Sequence, residues 1–445
     1  MPFHRRLACK LNYFQSIILM FAAVILIGAA LLMLPISAQE RTVTPFHEAL
    51  FTATSAVCVT GLVVRDTASH WSAFGQAVLM VLIQIGGLGV ITVGASFSLL
   101  SGRRISLSQR GRMQEAMSAP KVGGIVRLTG FVIRASLMME GIGALCMLPV
   151  FCRDFGVSGI WKAVFHSVSA FCNAGFDLMG TPDMPFVSLT AYRADPVINL
   201  TISALIVVGG IGFLTWDDVR TNRLCFHRYR LQSKVILTST ALLILLPTLY
   251  FFFFEFKGVT PQERLLLSLF QSITPRTAGF NTADYTSLSS SGRGLTILLM
   301  FIGGSPGSTA GGIKTTTIAV LVANAFAVFR RQKSPEMFGR RMEEKAVHDA
   351  AAIFTLYLVL SLTGAFIIST VEGLPLSECL FETTSAIATV GLSLGLTPHL
   401  GIVSQGILIF LMFIGRVGGL TMIYAALSGS KSSVARLPQE RITVG

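Results

Sequence analysis

Residues 381–392 read FETTSAIATVGL, and three other stretches of the chain follow the same pattern. The counterparts are FTATSAVCVTGL at 51–62, FHSVSAFCNAGF at 165–176 and FQSITPRTAGF at 270–280. Each copy starts with Phe, continues with Ser or Thr residues, and ends in Gly and an apolar residue. The glycines are Gly61, Gly175, Gly279 and Gly391, at separations of 114, 104 and 112 residues. Four similar segments at nearly constant spacing indicate a chain of four repeated units.

The sequence between these segments is suited to a lipid bilayer. Of the 445 residues, 52% are hydrophobic and only 13% are charged, and the mean hydropathy is +0.68. A helix needs about 20 apolar residues to cross a hydrocarbon core of about 30 Å. Spans are predicted at residues 16–35, 74–100, 125–150, 196–216, 234–256, 295–329, 350–371 and 402–427. The net charge of +13 does not indicate nucleic-acid binding, because no long soluble segment gathers the positive charge on one face.

Positive charge is distributed unevenly between the gaps that separate these spans. The termini and the even-numbered gaps carry more than twice as many Lys and Arg residues as the odd-numbered gaps. One even-numbered gap contains the basic cluster Arg103, Arg104, Arg110, Arg112 and Lys121. By the positive-inside rule, we expect both termini to be cytoplasmic. The first span is longer than the apolar core of a signal peptide, so we interpret it as a membrane helix.

All four repeated segments fall in the odd-numbered gaps, so each unit is a helix, a half-crossing segment and a second helix. Two full spans per unit leave every unit in the same orientation, with a symmetry axis along the membrane normal. We therefore predict an all-α membrane protein of eight transmembrane helices and four half-crossing pore helices around a central pseudo-fourfold ion pore. The predicted units, here called units one to four, are residues 1–110, 111–225, 226–345 and 346–445. Unit four ends in a cytoplasmic tail.

The half-crossing segments could bind a cation where they meet. Their helix C-termini carry partial negative charge, and the residues that follow would present backbone carbonyl oxygens to a monovalent ion. The glycine of each copy permits the positive φ that turns successive carbonyls inward. The predicted ion-binding residues are Val59, Thr60, Gly61, Asn173, Ala174, Gly175, Thr277, Ala278, Gly279, Thr389, Val390 and Gly391.

Several stretches resemble the Trk/Ktr/HKT superfamily of potassium transporters, and most closely the KtrB-type membrane subunits of Ktr systems. They are FTATSAVCVTGL at 51–62, FQSITPRTAGFNT at 270–282, STAGGIK at 308–314 and MFIGRVGGLT at 412–421. The resemblance implies K⁺ uptake across a bacterial cytoplasmic membrane, with sodium dependence seen in some members. It also implies a homodimer and a KtrA-type cytosolic ring that binds the regulating nucleotide. No covalently bound cofactor is expected on this chain.

A glycine-rich stretch, LLMFIGGSPGSTAGGIKTTTIAV at 298–320, interrupts the second span of unit three. Its glycines and Pro306 break the helix, so the segment can lie across the ion path as a gate. Arg416 stands where the other units have a second glycine, and it would point at the axis below the ring. There it could repel cations or donate to loop carbonyls; neutralisation by a neighbouring carboxylate is the alternative. The predicted gate residues are Gly303, Gly304, Ser305, Pro306, Gly307, Ser308, Thr309, Ala310, Gly311, Gly312, Lys314 and Arg416. Pro306 departs from the small-residue loop typical of the superfamily.

Two other classes of function fit parts of the sequence. A phosphate-binding ATPase needs Gly-Lys-Ser/Thr after a strand, but Ile313 precedes Lys314 here and an apolar span precedes the loop. A receptor or assembly scaffold would only pack its four hairpins. The sequence has no HExxH or GxSxG, and its seven cysteines form no CxxC pair, so we predict neither enzyme activity nor a transition-metal site.

Two further predictions concern buried polar groups. Arg127, Arg134 and Glu140 share one span, and we expect an ion pair within that helix or with a neighbouring one. His166 follows the repeated Phe of unit two, and we interpret it as a packing or filter-supporting residue and not as a catalytic base.

Overall fold

The computed structural model describes residues 13–90, 92–93, 111, 114, 124–223, 225–332, 334–426 and 440. The basic cluster at 103–121 was used to predict the topology, and its members lie outside these residues. Within them, helices dominate, and one short antiparallel hairpin joins β1 (Glu336–Met337) to β2 (Arg340–Arg341). The prediction of an all-α membrane protein is confirmed.

Every unit follows the predicted order of long helix, pore helix and second helix. Unit one contains α1 (Tyr13–Leu32), α2 (Phe46–Cys58) and α3 (Ala73–Leu88); unit two contains α4 (Ile125–Phe155), α5 (Ser158–Phe171), α6 (Pro196–Gly210) and α7 (Phe213–Asn222). Unit three contains α8 (Leu231–Tyr250), α9 (Pro261–Ile273), α10 (Ser290–Phe301) and α11 (Thr315–Phe329); unit four contains α12 (Glu344–Glu372), α13 (Leu376–Ile387), α14 (Ile402–Val417) and α15 (Gly419–Ala426). The helix α8 continues as a π-helical turn, Phe251–Glu255.

The first helix of each unit is continuous, whereas the second is interrupted. α3 ends before Gly89 at φ 86°, α6 and α7 meet at 95° around Gly212 at φ 96°, and α14 ends before Gly418 at φ 95°. A glycine in a positive-φ conformation ends a helix at little cost. The spans predicted at 74–100, 196–216 and 402–427 are therefore not single straight helices.

Helix length and composition support five of the eight predicted spans. Among the described residues, α1, α4, α8 together with its π-helical turn, and α12 are each long and apolar enough to cross a bilayer. The bent pair α6–α7 passes the same test, and α3, α11 and α14 are apolar but shorter. These eight positions coincide with the eight predicted spans.

The core of the protein surrounds the pore helices. The repeated phenylalanines Phe51, Phe165, Phe270 and Phe381 are at most 1% exposed. By contrast, the long helices leave large apolar side chains on the outside, such as Leu26 and Ile27 of α1 and Leu245 of α8. The apolar outer surface is suited to contact with lipid. The short polar pore helices are enclosed by protein, which keeps their polar groups away from the hydrocarbon core.

Candidate functional site

The four repeated glycines form a closed ring. A Cβ placed on Gly61 would lie 2.5 Å from the Ala174 carbonyl oxygen of the next unit. A Cβ placed on Gly175 would lie 2.7 Å from the Ala278 oxygen, and one placed on Gly279 would lie 2.6 Å from the Val390 oxygen. Gly391 closes the circle, because its Cβ would lie closer still to the oxygen of Thr60 in unit one. The four predicted triads thus meet in the order one, two, three, four, and only glycine leaves room for the adjacent carbonyls.

Two residues of every triad adopt a left-handed backbone. The glycines have φ between 70° and 93°, and the first residues of the triads have φ between 51° and 69°. These first residues are Val59, Asn173, Thr277 and Thr389. The residue between them has a negative φ, so the handedness alternates and turns consecutive carbonyls toward the same side. A left-handed conformation is costly for Val and Thr, and such strain concentrates at functional sites.

The hydroxyl group four residues after each repeated Phe forms a hydrogen bond with the backbone at or directly after the glycine of its triad. Ser55 and Ser385 accept hydrogen bonds at 3.0 Å from the N–H groups of Gly61 and Gly391. In the other two units the hydroxyl donates instead. Ser169 Oγ donates to Phe176 O at 2.7 Å, and Thr274 Oγ1 donates to Phe280 O at 2.5 Å. The Ser or Thr at this position of the repeat therefore binds the backbone either at the N–H group of the glycine or at the carbonyl of the residue after it.

A vestibule of about 360 Å³ opens on one side of the ring, and the four glycines form part of its wall. Its other lining residues include the carboxylates Asp66, Asp177 and Asp284. Desolvation in the vestibule wall, together with the negative charge of Asp66, raises the pKa of Asp177 to about 6. Acidic groups around a concave entrance raise the local concentration of cations.

The glycine-rich loop, residues 302–314, lies on the other side of the ring and contacts unit two. Ser305 N donates to Gly210 O at 2.9 Å, and Thr309 Oγ1 donates to Phe171 O at 3.0 Å. Gly307 O accepts from Phe213 N at 2.8 Å. The loop therefore occupies the bend between α6 and α7.

The two ends of the loop are held together. Ile302 and Ile313 form a parallel bridge, and Gly303 N donates to Ile313 O at 2.9 Å. Lys314 Nζ donates to the carbonyls of Ala310 at 2.9 Å and Gly311 at 3.2 Å. The lysine thus binds its own loop.

Arg416 connects the loop to units one and four. Its Nη1 donates to Thr309 O at 2.5 Å, and its Nη2 donates to Gly86 O and, at 3.2 Å, to Gly87 O. Within the part of the chain that the structure describes, no carboxylate forms an ion pair with Arg416, and its hydrogen bonds go to backbone carbonyl oxygens.

Beneath the loop is a second cavity of about 230 Å³. Gly307, Ser308, Ala310 and Gly312 of the loop line it, together with Lys314 and Arg416. On its upper side the loop approaches the ring closely, since a Cβ on Gly312 would lie 2.7 Å from Ala388 O. The loop with its two cationic side chains therefore separates the ring from this lower cavity.

A sequence profile of the TrkH family, described as a cation transport protein, matches residues 8–434. The chain belongs to this family. It is 39% identical over 456 residues to the potassium/sodium uptake protein NtpJ of Enterococcus hirae, an alignment that covers 99% of both chains. It is also 39% identical over 438 residues to the Ktr system potassium uptake protein B of Bacillus subtilis, covering 97% of this chain and 96% of the relative.

The TrkH fold is also found in a solved structure. The crystal structure of the potassium transporter TrkH from Vibrio parahaemolyticus matches with a TM-score of 0.74 at 17% identity, over 92% of this chain and 83% of that chain. The resemblance to the Trk/Ktr/HKT superfamily, which rested on the repeats, the glycine-rich loop and the arginine of the last helix, is confirmed.

One recurring contact of this TrkH-family chain was not found by sequence analysis. In units one, two and four, the first glycine of an IGG-like motif allows the second helix to touch the end of the pore helix in its own unit. A Cβ on Gly86, Gly209 or Gly415 would collide with the carbonyl oxygen of Val57, Phe171 or Ile387, respectively. The signal was present as IGGLG, VGGIG and IGRVGG at equivalent positions, but the identity of the neighbour depends on the tertiary structure.

Among the described residues, the expected ion pair on α4 does not form. Glu140 is 5% exposed and accepts a hydrogen bond at 2.9 Å from Gln84 Nε2 of α3, whereas Arg134 Nε donates to Gly130 O. Among the described residues, neither Arg127 nor Arg134 pairs with a carboxylate. A neutral amide of the neighbouring unit therefore satisfies this carboxyl group.

Pro306 has a specific neighbour. A Cβ on Gly212, at the bend between α6 and α7, would lie 2.7 Å from Pro306 O. Proline lacks an N–H group, but the loop's bonds to unit two use Ser305 N, Gly307 O, and both the N–H and the hydroxyl of Thr309. The departure from the small-residue pattern is thus compatible with every bond that holds the loop.

Proposed function

We propose that this chain mediates uptake of K⁺ across the bacterial cytoplasmic membrane through the ring of four triads. The observation that carries the proposal is the closed glycine ring, in which every unit supplies a carbonyl oxygen beside the glycine of its neighbour. Carbonyl oxygens from four sides replace the hydration shell of a desolvated monovalent cation. The printed names of the relatives from E. hirae and B. subtilis support potassium as that cation, and the former adds sodium.

In this proposal, residues 303–312 with Lys314 and Arg416 form the gate. Hydrogen bonds support that role, since they join the loop to unit two, to itself and to Arg416, which also binds unit one, between the ring and the lower cavity. Ion passage requires the loop to leave this position. A transporter built this way needs no bound cofactor, and K⁺ or Na⁺ is cargo.

We further propose that the chain acts as a homodimer with a nucleotide-binding ring on its cytoplasmic face, with both termini on that side. The name of the B. subtilis relative, a component of a Ktr system, supports a multi-subunit assembly. The distribution of Lys and Arg supports the orientation.

Uptake of labelled rubidium into liposomes that contain the purified chain tests the function. We expect uptake that unlabelled K⁺ inhibits at far lower concentration than Na⁺, and none in protein-free liposomes. Absence of uptake both from the chain alone and after addition of its nucleotide-binding partner would overturn the proposal and favour a scaffold.

A further inference from the structure

The residue directly after the repeated Phe is polar in every unit and different in every unit. It is Thr52, His166, Gln271 and Glu382 in units one to four. All four side chains are fully buried in the pore helices. Because the copies align, these residues occupy equivalent places behind the ring, where each buried polar group needs a partner.

In unit four, Glu382 binds the chain that follows the triad. Its carboxylate accepts hydrogen bonds from Ser393 Oγ at 2.7 Å, Leu394 N at 2.9 Å and Thr397 Oγ1 at 2.6 Å. Ser393 and Leu394 form part of the vestibule wall. One buried carboxylate thus holds the segment 393–397 immediately outside the ring.

His166 makes the corresponding contact in unit two. Its Nδ1 lies 2.7 Å from Lys162 O, which can only accept, so Nδ1 carries the proton. Its Nε2 is then an acceptor, and it faces Leu178 N at 3.3 Å. This arrangement requires the neutral ring and ties α5 to the segment that follows Gly175.

In units two and four, the pore helix holds the following chain at two points, which we call a clamp: one is the residue after the repeated Phe, and the other is the hydroxyl one helical turn later. Ser385 accepts a hydrogen bond from Gly391 N and Glu382 accepts one from Leu394 N, so α13 binds the chain at both positions. Unit one has only half of this clamp. Ser55 holds Gly61, but Thr52 donates to Glu48 O of its own helix at 2.9 Å.

We propose that Glu382 is a positioning residue that sets the ion preference of the ring, and that His166 has the same role in unit two. Glu382 acts through the segment 393–397, which fixes how far the Gly391 carbonyl can move toward a smaller ion. Among units one, two and four the support is therefore unequal, with three bonds to the outer segment in unit four, one in unit two and none from Thr52 in unit one. This inference rests on the proposed function of the ring.

The variant Glu382→Gln tests the inference, because an amide retains the size of the side chain but replaces one acceptor oxygen with a donor group. We expect the preference for K⁺ over Na⁺, measured as competition against labelled rubidium, to fall by roughly threefold. The matched control is Thr52→Val at the equivalent position of unit one, which makes no bond to the outer segment and should leave the preference unchanged.

A second variant, Thr397→Val, removes one of the same bonds from the other side and should lower the preference in the same direction. Combined with Glu382→Gln, it should add little. Equal preference in wild type, Glu382→Gln and Thr397→Val, with uptake intact, would overturn the inference. If the wild type itself takes up no rubidium, the proposed function has failed instead.

Discussion

The guanidinium group of Arg416 lies between Thr309 of unit three and Gly86 of unit one, and it donates to the carbonyl oxygens of both. A side chain of unit four thus ties the loop of one unit to the helix of another. Among the described residues it has no acidic partner, and its donors go to peptide carbonyl groups.

Replacing Arg416 with Gln should release the loop and raise ion flux. Hydrogen bonds to a charged group contribute about 1.5–3 kcal/mol, so we expect flux to rise about tenfold or more. Uptake of labelled rubidium at equal amounts of reconstituted protein measures the change. Arg330→Gln is the control, since Arg330 is exposed at the end of α11. Flux at or below the control value would show that the arginine does not hold the path closed.

Gly391→Ala should reduce the preference for K⁺ over Na⁺, because the new Cβ would collide with the Thr60 oxygen in the ring. Gly373→Ala is the control: Gly373 lies outside the ring and the segment 393–397, has a φ of 69° against 91° for Gly391, and nothing lies near its Cβ position. Both variants strain the backbone, and only the first disturbs the ring. Loss of preference in both would attribute the effect to backbone strain and contradict the ring assignment.

Uptake should depend on external pH through Asp177. Its pKa is raised to about 6, so the carboxylate is charged above pH 6 and attracts cations, and protonation below pH 6 removes that attraction. Asp66 and Lys162 are the charged neighbours that influence it. Between pH 7 and pH 5 we expect the apparent affinity for K⁺ to weaken by roughly two- to threefold. Asp177→Asn should flatten this profile and Asp183→Asn, at an exposed site, should not. A profile that Asp177→Asn leaves unchanged would assign the dependence to another group.

Gly209→Ala should destabilise the protein, whereas Gly210→Ala should not. A Cβ at Gly209 would overlap the Phe171 oxygen at the end of the pore helix, but one at Gly210 would meet Asn173 Nδ2 at an ordinary 3.5 Å. Overpacking of this kind costs about 1–3 kcal/mol. The midpoint of thermal unfolding in detergent distinguishes the two variants. Equal midpoints would show that α5 and α6 can move apart without a loss of stability.

Sequence analysis predicted the number of units, the pore helices and the residues of the ring because these depend on repetition and on local properties. Apolar length indicates a span, and glycine indicates a turn with positive φ. It did not predict the interruption of α3, α6 and α14, since Gly89, Gly212 and Gly418 stand inside otherwise apolar runs. It also gave Glu140 the wrong partner, because Gln84 is distant in sequence.

The sequence by itself determined that four similar segments lie at the same depth in the membrane, since two spans per unit give every unit the same orientation, and it predicted that they meet around one axis. Only the tertiary structure decided how the equivalence is broken. Arg416 reaches Gly86 across 330 positions of the chain, and Glu382 binds an outer segment where Thr52 binds its own helix. Such contacts depend on the direction of single side chains between units, and repetition in the sequence carries no information about that direction.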